Sequence, residues 1–457
     1  MKFRNFGKAL LMGALSAAVI FGVSSCIESW SVGYLFITGT VTAQANGAGI
    51  ISGFKINHNT GQLTVISGLP ISSGGANPSR AVLISGSRFL YVLNRGTTAS
   101  GGADCTTTDP CINSNITQFV VGGNGILTPQ QTFYTQGVNP FRILSDATGT
   151  FIYVLDHDSP NSPNNPYCAV ALGNNSNNQP ITACGDITAF KVDQTTGRLS
   201  LVINAQASAA LNETVQLPYF PVPPNPVDFA FAGTSMLTLN GSVSTGYPYS
   251  GGTTVFPYMY SNGTGQLTLS QNTSQSFSNF TQGTAIVLSG ATIYLLDNEP
   301  PAGTNSIGAM SQILPFTLGS GGSLNPRTGG PIADDPTLAN PVAIMTEAKG
   351  KWVYVANFGT NNIGQTTSES GIAGYVVDPS TMQLSFIAGE PFGSGSGPMC
   401  IVEDPSNQYV YTANANDSTV TGRMLDENAG VLNNLRAPGS YPLEGPASWC
   451  LVSGRTD

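Results

Sequence analysis

The chain contains two histidines, His58 and His157, so imidazole chemistry has only two places to occur. His58 sits in the polar turn NHNTG and reads as a solvated surface residue. His157 lies in LDHDS, between Asp156 and Asp158, directly after an aromatic run. It reads either as a site residue or as a turn residue bonded to backbone. The Asp156-His157-Asp158 cluster, or Asp297 with Glu299, offers oxygens to Ca²⁺, but neither has the ligand spacing of a regular Ca²⁺ loop. No other cofactor is expected. Of the seven cysteines, no two form a CxxC pair, so the usual metal and dithiol redox motifs are absent. Setting Cys26 apart leaves an even number, which suits disulfides in an oxidising compartment. Cys105 with Cys111, and Cys168 with Cys184, would each staple a polar loop, leaving Cys400 and Cys450 to pair by elimination.

The elements that must hold these residues are strands. Only 9% of the 457 residues are charged and 40% are hydrophobic, with 54 Gly and 30 Pro. That balance excludes disorder, and the scarcity of Lys, Glu and Arg excludes long surface helices. The polar positions are filled by Ser, Thr, Asn and Gln, which suit strands and turns. A net charge of −9 argues against nucleic acid and against adhesion to an acidic lipid surface. Residues 1–25 carry Lys2, Arg4 and Lys8, an apolar run from Ala9 to Val23, and then Ser24-Ser25, the pattern of an export signal. Val23-Ser24-Ser25-Cys26 resembles the bacterial lipobox, which implies a lipidated Cys26 and a short tether over 26–33. Ile27, in place of Asp, resembles lipoproteins sent to the outer membrane. Loss of the signal takes the formal charge from −9 to −12.

An internal repeat organises the rest. FLYVLN (Phe89–Asn94), FIYVLD (Phe151–Asp156), TIYLLD (Thr292–Asp297), WVYVAN (Trp352–Asn357) and YVYTAN (Tyr409–Asn414) recur, with weaker copies at Tyr34–Gly39 and Ser235–Asn240. Their last residues lie 55 to 84 positions apart. A second strand and a turn leading to Leu follow each copy, as in AFKVDQTTGRL ending at Leu199. Each unit closes with Asn-Pro or Gly-Pro and a short apolar run, at Pro78, Pro140, Pro226, Pro341, Pro398 and Pro446; the copy near Gly283 lacks the Pro. Seven such units predict an all-β, seven-bladed β-propeller over 34–452, four antiparallel strands per blade, with 453–457 as a tail. Strand 446–452 is expected to complete the blade begun by 34–69, pairing the two chain ends. Cys400 and Cys450 then fall on neighbouring innermost strands. Long segments after the aromatic strands, 95–114 and 157–185 among them, would build one rim of the ring.

The three signatures together resemble the propeller lactonases, the 6-phosphogluconolactonase-like and YVTN-type proteins, over essentially residues 34–452. The resemblance implies a site at the mouth of the central channel, two residues after each Pro. Those positions hold Arg80, Arg142, Asp228, Ala285, Ala343, Cys400 and Ser448. Two guanidiniums and a carboxylate fit an anion clamp with a general base, and His157 joins them on the loop face. No His occupies the inner positions. Two functions follow as expectations: hydrolysis of a small, non-phosphorylated lactone, or surface binding of a glycan, peptide or protein without chemistry. The expected protein is a monomer, exported and anchored to the bacterial envelope by its N-terminal lipid alone.

Overall fold

The aromatic runs are buried along their whole length, at Phe89–Asn94, Phe151–Asp156, Ser235–Asn240, Thr292–Asp297, Trp352–Asn357 and Tyr409–Asn414. A strand without an exposed face must be covered by another layer on each side. In the computed structural model of the protein those layers are neighbouring blades. The structure describes residues 30–454 except 42–46, 85, 103–104, 107, 176, 209–212, 242–252, 271–273, 278–281, 299–310, 360–369 and 437. The signal, Cys26 and Glu299 lie outside the described residues.

Seven antiparallel sheets form the blades, each with a path of four strands. Their innermost strands are Ala447–Ser453 in blade 1, then Pro78–Ile84, Val138–Ser145, Pro226–Ala232, Gly283–Ser289, Pro341–Thr346 and Pro398–Glu403 in blades 2 to 7. Each touches the next round a closed ring. Blade 1 is shared by both chain ends, with Tyr34 opposite Ser453 and Gly39 opposite Ala447, as the phase of the repeat requires. In five blades the third strand carries a further short partner beyond the fourth, such as Phe220–Val222 alongside Gly185–Ile187. The outer strand is therefore in two pieces. In blade 3 the chain between the pieces forms an extra hairpin, Asn204–Ser208 with Glu213–Leu217. The 157–185 loop holds a short helix, Cys168–Leu172.

The core is not central. It is divided into seven apolar layers, one in each gap between adjacent blades. Two parts of the repeat meet across these gaps. The Tyr of an aromatic strand donates its hydroxyl to the carbonyl of a turn glycine in the next blade: Tyr153 to Gly265 at 3.0 Å, Tyr354 to Gly430 at 2.6 Å and Tyr411 to Gly61 at 2.6 Å. Tyr91 reaches Gly197 in the same way. Gly430 has φ 73°, and a Cβ there would stand 2.6 Å from the Trp352 ring. Both the backbone angle and the flat contact call for glycine. Gly430→Val is accordingly expected to cost about 3 kcal/mol or more, the sum of left-handed strain and overpacking. An unchanged urea midpoint would contradict this account of the repeat.

The Asn-Pro signature has its own cause. Asn77, Asn139, Asn225 and Asn340 adopt φ of 49°, 59°, 57° and 59°. Asn tolerates this left-handed turn, and the Pro after it starts the strand. One residue later every innermost strand slips register: Pro78 pairs with Asn94 but Arg80 with Leu93. The same bulge occurs in all the other blades. The residue it leaves over is Ser448, Ser79, Phe141, Val227, Thr284, Val342 or Met399, in blade order.

Candidate functional site

These bulge residues line a cavity of about 570 Å³ at the loop-side mouth of the channel, a volume suited to a small ligand. The bulges also set where the next side chain goes. Register identifies the equivalent positions as Trp449, Arg80, Arg142, Asp228, Ala285, Ala343 and Cys400. The blade 1 expectation of Ser448 is therefore corrected. Pro446 precedes that strand, Ala447 takes the place of the Pro opposite Gly39, and the count moves by one to Trp449.

Four consecutive blades thus present Trp449, Arg80, Arg142 and Asp228. The Arg80 guanidinium lies over the Trp449 ring, 3.4 Å from its centroid, a cation–π contact. Among the described residues it makes no hydrogen bond or ion pair. Burial, reinforced by the neighbouring Arg142 charge, holds its pKa well below the usual arginine value, although Asp228 works the other way. Arg142 Nε donates to Asp228 Oδ1 at 3.2 Å, and Ile286 N of blade 5 donates to Asp228 Oδ2 at 3.1 Å. Asp228 is not part of the cavity wall, and each of its oxygens is already engaged. It is better placed to fix Arg142 than to act as the general base expected of it. A purely structural reading of the inner-strand arginines, as counter-charges to Asp146 or Asp228, holds in part: Arg142 pairs with Asp228, whereas Asp146 accepts from Thr148 and the Phe151 amide.

His157 lines the same cavity, with Nδ1 3.3 Å from Asp158 Oδ2. An ionised carboxylate can only accept, so Nδ1 carries the proton and Nε2 is the basic nitrogen. Asn139 Nδ2 holds the same Asp158 oxygen at 2.9 Å. Asn139 also accepts from the Cys111 amide at 2.7 Å, pinning the loop stapled by Cys105–Cys111 so that Cys105 joins the cavity wall. Arg95 lines the cavity too and was not among the expected residues. It occupies the repeat position of His157, the first after the aromatic strand, and that shared position was the available signal. His58 remains in its turn, stacked on Trp30 with ring centroids 4.1 Å apart. The other two expected disulfides are formed, Cys168–Cys184 and Cys400–Cys450. Among the described residues no group of three or more His, Cys, Asp or Glu could hold a metal ion.

Beneath His157, Asp156 pairs in register with Asp186, both fully buried. Thr188 Oγ1 bridges them at 3.2 and 3.3 Å, and a Cβ on Gly137 would stand 2.1 Å from Asp186 Oδ2. Burial raises both carboxyls: Asp156 to about 7, and Asp186 well above its ordinary value with Asp156 beside it. The folded pair therefore keeps protons that unfolded carboxyls near pH 4 release. Stability should fall as pH rises from about 4 through 7, because the unfolded state binds fewer protons there. Asp156→Asn is expected to flatten that fall and raise the thermal midpoint at pH 8 by about 2–5 °C. A midpoint at pH 8 equal to or below the parent's would contradict it.

Comparison with known proteins follows this geometry. The family described as "Lactonase, 7-bladed beta-propeller" matches residues 45–162 and 321–448, more than half of the chain. The chain belongs to this family. Among solved structures, this lactonase-family propeller is similar to the periplasmic gluconolactonase of Pseudomonas aeruginosa, with 16% identity, TM-score 0.61, and coverage of 92% of this chain and 99% of that one. A 6-phosphogluconolactonase candidate from Bacteroides fragilis aligns at 15% identity and TM-score 0.60, covering 94% and 99%. A hypothetical selenium-binding protein from Sulfolobus tokodaii aligns as well, at 10% identity and TM-score 0.60, covering 93% and 94%. At such identities these likenesses concern the fold alone. No curated protein matches the chain.

Proposed function

We propose that this lactonase-family propeller hydrolyses a small, non-phosphorylated lactone in the cavity at the channel mouth. The observation that carries the reading is the half-buried Arg80 cation, stacked on Trp449 and without an anionic partner among the described residues, beside Arg142 in a cavity that also holds a His–Asp pair. In this scheme the lactone carbonyl oxygen lies toward the two guanidiniums. His157 Nε2 takes a proton from a water, which attacks the carbonyl carbon. The oxyanion that forms is stabilised by charge-assisted hydrogen bonds that strengthen as its charge develops. Collapse breaks the ring C–O bond, the leaving alkoxide takes the proton from His157, and the new carboxylic acid gives its remaining proton to solvent and leaves as a carboxylate. Asp158 keeps the imidazole in the reactive tautomer, and Asp228 keeps Arg142 in place. The names of the Pseudomonas and Bacteroides structures agree with this class of reaction. The test is hydrolysis of a lactone panel, glucono-1,5-lactone included, by the mature protein. No turnover above the spontaneous rate would overturn the reading and leave a binding propeller.

We infer likewise that the chain is exported and anchored through Cys26. The N-terminal pattern and three disulfides support this. Cells given labelled palmitate should incorporate it into the parent and not into Cys26→Ala. Equal incorporation would exclude the anchor.

A further inference from the structure

The cavity has two chemically different sides. Its polar lining comes from blades 1 to 3, where Arg80, Arg95, Arg142, His157 and the two turn residues Asn77 and Asn139 stand. Blades 4 to 7 contribute Val227, Thr284, Val342 and Met399. The Thr284 hydroxyl is spent on the next blade, donating to the Pro341 carbonyl at 2.8 Å. Behind this arc lie Ala285, Ala343, the buried Cys400–Cys450 disulfide and, in blade 4, Asp228, which stands outside the cavity wall with its two oxygens held by Arg142 Nε and the Ile286 amide. Ring order sets the facing pairs. In a closed ring of seven, blade 6 stands across from the gap between blades 2 and 3, which puts Val342 opposite Arg80 and Arg142.

We propose that the ligand of this cavity is a carboxylate, or the lactone that yields it, bearing an apolar alkyl or aryl tail. Its oxygens face Arg80 and Arg142, and its tail lies against Val342, Met399 and Val227. A polyhydroxylated sugar acid carries a hydroxyl on nearly every carbon. Seated on the two arginines, it would press those hydroxyls onto Val342 and Met399, where water is lost and no partner replaces it. An alkyl chain gains there instead, by about fourfold in affinity for each methylene that becomes buried. The lactone half of this proposal rests on the lactonase reading; the carboxylate half does not.

The experiment uses the mature protein and two measurements. Calorimetry at pH 7.5 compares butanoate, hexanoate, octanoate and gluconate, and kinetics compares γ-lactones of matching chain length with glucono-1,5-lactone. Affinity should rise from butanoate to hexanoate by about sixteenfold, with gluconate weaker than hexanoate, and kcat/KM should follow the same order. Val342→Asn should weaken hexanoate by about tenfold and leave gluconate within about twofold. Should that variant fail to fold, the chain-length series on the parent still decides. Chain-length dependence without any lactone turnover supports the apolar-tailed ligand and removes the lactonase reading. Turnover with glucono-1,5-lactone preferred keeps the lactonase reading and overturns the apolar tail. Binding of none of the carboxylates overturns the proposal outright.

Discussion

Arg142→Ala is expected to lower kcat/KM for a hydrolysed lactone by about 10²–10³, the usual effect of removing one donor from a developing oxyanion. The guanidinium contributes a fixed positive charge where Asp228 and blade 5 have already oriented it, so no reorganisation accompanies the reaction. Arg80→Ala should cost a similar factor, because its cation lines the cavity and rests on Trp449 rather than on a carboxylate. In the proposed reaction both arginines face one oxyanion, so the double variant should fall short of the product of the two single effects. Arg142→Lys keeps the charge but loses the planar fork, and should recover only part of the activity. Asp228→Asn is the informative control. If Asp228 positions Arg142, the pH profile keeps the parent's shape; if it is the general base, the acidic limb of the profile, where that base would be protonated, disappears. Activity within threefold of the parent in both alanine variants would remove the arginines from the mechanism.

The second large effect concerns stability. Cys400 and Cys450 lie on the innermost strands of blades 7 and 1, fully buried, with Cα atoms 5.8 Å apart and 50 positions apart in sequence. Closing a loop of that length restricts the unfolded chain by about 4 kcal/mol in the chain-entropy account. Replacing both cysteines with Ala is expected to remove about 3–4 kcal/mol, read as a lower denaturant midpoint, with a steeper slope because the unfolded chain without the cross-link exposes more surface. Cys105–Cys111 spans six residues in a surface loop, so its removal should cost distinctly less and act instead on the cavity wall. Equal losses from the two double variants would sink the claim that the first bond fastens the ring.

Much of this was legible before the fold was seen. Tyr354 and Gly430 belong to two different signatures because they meet across a blade gap, so each signature carries half of one contact. The phase of the repeat placed Tyr34 beside the C-terminal strand, and with it the Cys400–Cys450 bond. Arg80, Arg142 and Asp228 could be aligned because each follows a Pro at the same distance. Trp449 was hidden because blade 1 substitutes Ala447 for that Pro, and only backbone pairing reveals the shift. Arg95 lies outside the inner-strand signature, whereas the cavity also takes the first residue after the aromatic strand, the position it shares with His157. The Asp156–Asp186 pair joins residues thirty positions apart, and strand register, not spacing, makes them neighbours.

The blade built from both chain ends also governs when the molecule can be finished. During synthesis every blade from the second onward can assemble in turn, but Ser31–Thr40 has an unpaired edge until Ala447–Ser453 arrives. The ring is therefore complete only when Ala447–Ser453 has been made. A nascent or truncated chain presents an open, sticky arc, and loss of the final seven-residue strand should be far more damaging than its length suggests. A circular permutant that joins the present ends and opens at a rim loop would test this directly, since its closing strand would no longer be the last to emerge.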